Sequence, residues 1–195
     1  MRKLVLVCAA LVMMSVIPGS CASSGASPSA RPSPPSHAPS PTPLAVVHAR
    51  LLKKYVHALR RVMNGEPALY HRMVAADKAN AGGKTSRDAA LAAMTPFVAA
   101  YQRLHAEAAA IRARSFLRTS HRHLLKYLDL MARALALKVE GIRYATSYSD
   151  SRIVTSHQLY EEAGRAYDEW VGLLRVAASE ADMDPWGLVR VHPGY

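Results

Sequence analysis

The chain is expected to be all-α: an up-and-down antiparallel four-helix bundle preceded by a signal peptide and a disordered Pro/Ser-rich tether. Three observations predict this. From residue 44 onward apolar residues recur at three- and four-residue spacing, and no sustained two-residue alternation appears. Aromatic residues make up only 7% of the chain while Ala is abundant, which suits closely packed helices more than strands. The 195 residues, half of them apolar, leave enough chain for one core once a leader and tether are set aside.

Residues 1–20 have the layout of an export leader. Met1-Arg2-Lys3 is a short positive start, and Leu4 to Ile17 is apolar except for Ser15. A permanent membrane span needs ~20 apolar residues, so this run is short for one. Pro18-Gly19-Ser20 then ends it with small residues. The segment Ser20-Cys21-Ala22-Ser23-Ser24-Gly25 resembles the lipobox of bacterial lipoproteins. Gly19 and Ser20 occupy the two positions before the cut, and Pro18 stands where Leu is usual. The resemblance concerns targeting alone. It implies that Cys21 becomes a lipidated N-terminus, holding the chain to a membrane on its outer side through acyl chains that each contribute about 0.8 kcal/mol per buried CH₂. The other reading is an ordinary secretory leader cut near Ala22, which releases a soluble product.

Residues 21–43 follow as the lipidated cysteine and its linker. Seven prolines (28, 32, 34, 35, 39, 41 and 43) lie among Ser and Ala, with no large apolar side chain to offset the entropy of ordering. Extended at ~3.1 Å per residue, 22 such residues reach at most roughly 70 Å. A glycosylated Ser/Thr/Pro stalk is the alternative.

Residues 44–195 make up the helical domain, read as four helical segments. The first covers about 44–63, with Val47, Leu51, Leu52, Tyr55, Val56, Leu59 and Val62 along its stripe. Asn64-Gly65-Glu66-Pro67 interrupts it, and it resumes to about residue 79. The second spans about 87–114 on a seam of Ala90, Met94, Phe97, Tyr101, Leu104, Ala108 and Ile111, with Pro96 either restarting or bending it. The third, about 120–147, shows Leu124, Leu128, Met131, Leu135 and Ile142, with Lys138 at a seam position. The fourth, about 150–181, follows Tyr160, Ala163, Tyr167, Trp170, Leu174, Ala177 and Ala181 and is capped by Asp150 or Ser151. Short loops make neighbouring helices antiparallel. The tail from Asp184 to Val189 is apolar enough to fold back.

The net charge is +11, yet from residue 150 onward eight acids face four bases. The excess of positive charge therefore lies in the first three quarters of the chain, where it favours anionic partners. Arg114, Arg118, Arg122 and Lys126 recur every fourth residue, with Arg112 beside them and Glu107 the only acid between Arg103 and Lys126. This stretch is the candidate contact surface for anionic lipid or wall polymer. Nucleic acid is not an expected partner, because no series of aromatics is interleaved for base stacking.

Catalytic chemistry finds little support. Cys8 and Cys21 both lie in or at the leader, so the domain has no disulfide and no thiol nucleophile. Ala81-Gly82-Gly83-Lys84-Thr85 has the end of a phosphate-binding loop, but Lys78 stands where the earlier Gly belongs and no strand precedes it. His157 and Glu161 share one helix face and are the weak candidates for a metal, which would need further ligands from other helices. No Glu-x-x-His occurs. The expected function is thus a non-enzymatic, membrane-tethered interaction module without a cofactor, contacting a protein or an anionic envelope component. A small-ligand or metal carrier is the alternative.

Overall fold

A computed structural model describes residues 43–81, 85–145 and 149–184. All of them fall within one compact unit, Pro39–Tyr195. The leader, Cys21, the tether, residues 82–84 and the tail from residue 185 lie outside the described residues.

The described chain is all-α. Helices α1 (Pro43–Met63) and α2 (Glu66–Ala81) form the first arm, α3 (Arg87–Ala109) the second, α4 (Arg118–Tyr144) the third and α5 (Ser151–Glu180) the fourth. A single 3-10 turn, Ser115–Leu117, leads into α4. The predicted seams are the core: Met94, Tyr101 and Ala108 of α3, Leu124, Leu128, Met131 and Leu135 of α4, and Ala163, Tyr167, Trp170 and Leu174 of α5 are all buried.

Side-chain pairings show the up-and-down order. Ser120 Oγ donates to the Trp170 carbonyl at 3.2 Å and Ser156 Oγ to the Ala134 carbonyl at 2.9 Å, so α4 and α5 run antiparallel. Arg87, opening α3, donates to the carbonyls of Arg143 and Ala145 at the end of α4, so this pair is antiparallel too. The first arm runs parallel to α4. His48 meets Phe116, Tyr55 meets His121, Glu66 meets Tyr127 and Asp77 meets Lys138, both partners advancing together. Near the α4–α5 turn the Ile153 side chain packs closely over Gly141. A Cβ there would lie 2.6 Å from Ile153 Cγ1.

Local chemistry explains the boundaries. Ser86 caps α3 by accepting from the Ala89 amide, and Asp150 caps α5 by accepting from the Arg152 amide. The α3 helix runs through Pro96 without a break, and Thr95 bonds back to the Leu91 carbonyl at 2.7 Å. After α5, Asp182 takes a left-handed φ of 53° while the Met183 amide returns to the Ala178 carbonyl, closing the helix end.

One expectation needs correction. The second helix was expected to reach Arg114, but α3 stops at Ala109. The physical reason lies in the following residues. Leaving the helix lets Leu117 bury completely and Phe116 stack on His48, with ring centroids 4.4 Å apart. A helix continued through residues 110–117 would carry these two groups away from the core.

Candidate functional site

The predicted basic stretch takes shape at this corner. Arg112 and Arg114 sit on the irregular link between α3 and α4. Arg118 opens α4, and Arg122 stands one turn later. All four are exposed, and no ion pair engages them among the described residues. Lys126, the fifth member, differs: its Nζ lies 2.7 Å from Glu162 of α5. That hydrogen bond, aided by the lysine charge, holds the Glu162 carboxyl below the usual carboxylate range. The surface therefore has four unengaged arginines and one lysine already partly neutralised.

The placement is unfavourable for the helix itself. Backbone amides at a helix start carry about half a positive charge, which attracts acids and repels bases. The first turn of α4 has no acid, and Leu117 at its cap position offers no side-chain oxygen. Arg118 thus adds positive charge where the backbone already supplies it.

Beneath the arginines lies a layer of buried aromatic and imidazole rings. His121 is buried, and the Tyr55 hydroxyl lies 3.0 Å from its Nδ1. Burial lowers the His121 pKa from 6.5 and raises that of Tyr55, so neither contributes charge near neutral pH. The Trp170 indole N–H approaches the same hydroxyl without completing a good hydrogen bond. Tyr167 packs edge-on to Trp170 and to Tyr127, continuing the aromatic layer along the core. On the α5 side, His123 Nδ1 meets Glu169 at 2.6 Å.

Two buried polar clusters further along the bundle went unrecognised in the sequence. Glu66 is 1% exposed at the start of α2, where the helix amides favour a carboxylate. Its Oε1 accepts from the Tyr101 hydroxyl at 2.9 Å and the Tyr127 hydroxyl at 2.5 Å, tying α2 to both α3 and α4. Lys138 is buried on α4 with Nζ 2.9 Å from Asp77 of α2. Tyr160 is half-buried on α5 nearby. Burial raises its pKa, and the charge of Asp77 adds to this. Lys138 at a seam position was the one legible signal of this cluster. Glu66 was hidden within an interruption that reads as a loop.

The remaining candidates do not converge. His157 and Glu161 both face outward on α5. Among the described residues no group of three or more His, Cys, Asp or Glu side chains gathers as a metal site would require. No helix among them is long and apolar enough to cross a membrane. Comparison of the chain with protein-family models, characterised proteins and solved structures gives no match.

Proposed function

We propose that this chain is an extracytoplasmic helical lipoprotein, tethered to a membrane at Cys21, and that it works as a non-enzymatic interaction module. Its contact face is the surface of Arg112, Arg114, Arg118 and Arg122, and its partner is a protein or an anionic component of the cell envelope. The observation that carries this reading is the set of four exposed arginines around an uncapped helix start. Arg118 opposes the helix dipole and all four side chains are exposed, so the helix start itself gains nothing from them, whereas an anionic partner would meet the guanidinium groups.

Reversal of Arg114, Arg118 and Arg122 to Glu tests the contact. Salt-sensitive binding of the full chain to isolated envelope material should disappear, and undiminished binding would defeat the proposal. The tether is tested separately by metabolic labelling with a fatty-acid probe: label should enter the wild-type chain and be lost in Cys21→Ala.

A further inference from the structure

A second basic surface lies on the outer side of α1, and it differs in kind from the arginine corner. The helix contains Arg50, Lys53, Lys54, Arg60 and Arg61 and no acid at all. With about 3.6 residues per turn, Leu52, Tyr55, Val56 and Leu59 point into the bundle, which leaves Arg50, Lys54, His57 and Arg61 on the opposite face and Lys53 and Arg60 along its flank. All six are exposed. The same outward face begins with two valines. Val46 is 55% exposed and Val47 53%, flanking Arg50 by position on the helix, with Leu44 beside them at 64%. Val46 also lines a shallow groove between α1 and the end of α5, walled by Ala45, Ala49 and Ala181, where Asp182 is the one acid among the described lining residues.

We infer that the outer face of α1 docks flat on an anionic lipid bilayer, with Val46 and Val47 seated among the acyl-chain roots and Arg50, Lys53 and Lys54 on the headgroup phosphates. A soluble polyanion would pair with the cations and leave the valines in water. A bilayer interface takes both, which is the usual arrangement for a helix lying in the membrane plane. α1 is also the first described helix after the Pro/Ser segment, so the tether joins the domain at the Val46–Val47 end of this face. A bilayer is within reach only in the envelope location proposed above. The surface itself is independent of the Arg112–Arg122 contact.

The test uses the full chain with Cys8→Ser, Cys21→Ser and Val47→Cys, labelled at residue 47 with an environment-sensitive fluorophore. Vesicles contain phosphatidylcholine alone or mixed with phosphatidylglycerol, each with brominated acyl chains as quenchers. The probe should shift blue and be quenched only with phosphatidylglycerol, and a probe at exposed Gln102 of α3 should not respond. Each Lys or Arg near an anionic bilayer is worth roughly fivefold in partitioning. Lys53→Gln/Lys54→Gln should therefore weaken binding by about 25-fold, and Lys53→Glu/Lys54→Glu by considerably more. Circular dichroism should be unchanged in both. No quenching with phosphatidylglycerol, or quenching indifferent to these substitutions, overturns the inference. So does an equal blue shift with inorganic polyphosphate and no vesicle. In the same labelled chain, Arg114→Glu/Arg118→Glu/Arg122→Glu should leave quenching at residue 47 intact. Its loss would move lipid contact to the start of α4 and overturn the assignment to α1, whereas failure of the envelope-binding experiment with quenching retained would overturn only the arginine contact.

Discussion

Replacing Tyr127 by Phe should cost the fold about 2 kcal/mol, since a hydrogen bond to a charged group contributes roughly 1.5–3 kcal/mol. The hydroxyl it removes donates to Glu66 Oε1 at 2.5 Å, and Glu66 is almost fully sealed from water, so no solvent molecule can replace it. Tyr101→Phe removes the second donor, at 2.9 Å, and should cost somewhat less. Removing both strips a buried carboxylate of two donors at once, a change in the range of about 3–5 kcal/mol. Against a typical total of about 5–15 kcal/mol, this is a large share. A double-mutant cycle isolates the interaction. In a Glu66→Leu background the buried Tyr127 hydroxyl has already lost this acceptor, so Tyr127→Phe should be close to neutral. The coupling between the two positions should thus be about 1.5 kcal/mol or more. Urea unfolding followed by circular dichroism, with equal m-values across the four variants, measures it. A coupling near zero would refute the idea that Glu66 is held by these hydroxyls and that they fasten α2 to the bundle.

Other outcomes follow from the same geometry. Replacing both partners at once, Lys138→Met with Asp77→Leu, should leave stability unchanged or raise it, because the desolvated ammonium and its carboxylate give way together to apolar chains. Asp77→Ala, which leaves that ammonium buried without its carboxylate, should lower stability by about 1–3 kcal/mol given that Asp77 is partly exposed. A single substitution, Arg118→Glu, should stabilise α4 by about 0.3–1 kcal/mol in thermal unfolding while weakening binding to envelope material. Loss of stability there would contradict the account of an electrostatically opposed helix start. Acid should weaken the fold through His121. Burial lowers its pKa in the folded state, so the unfolded chain takes up a proton that the folded chain resists. Stability is full above 6.5, falls as the pH drops through 6.5, and levels off below the lowered folded value. His121→Gln should flatten that part of the pH profile, and an unchanged slope would show that another group titrates there.

The periodicity of the chain determined the helices and their seams. Spacing of three and four residues is a local property, so Met94–Tyr101–Ala108 or Leu128–Leu135 could be read as buried stripes without knowing what covers them. The basic run from Arg112 to Lys126 was legible for the same reason, as was the antiparallel order implied by short connections. Tertiary structure alone decided which parts of each stripe the bundle covers. Val47 belongs to the apolar stripe of the first segment yet stays half exposed, because the bundle does not reach across that turn. It also decided that α3 ends at Ala109, since the gain comes from Phe116 and Leu117 meeting groups far away in the chain. Glu66 is the clearest case. Its neighbours Asn64, Gly65 and Pro67 announce a turn, and its partners stand 35 and 61 residues further on. Whether such a carboxylate is solvated or sealed depends on the hydroxyls that the packing of other helices brings to it, and no local pattern encodes that meeting.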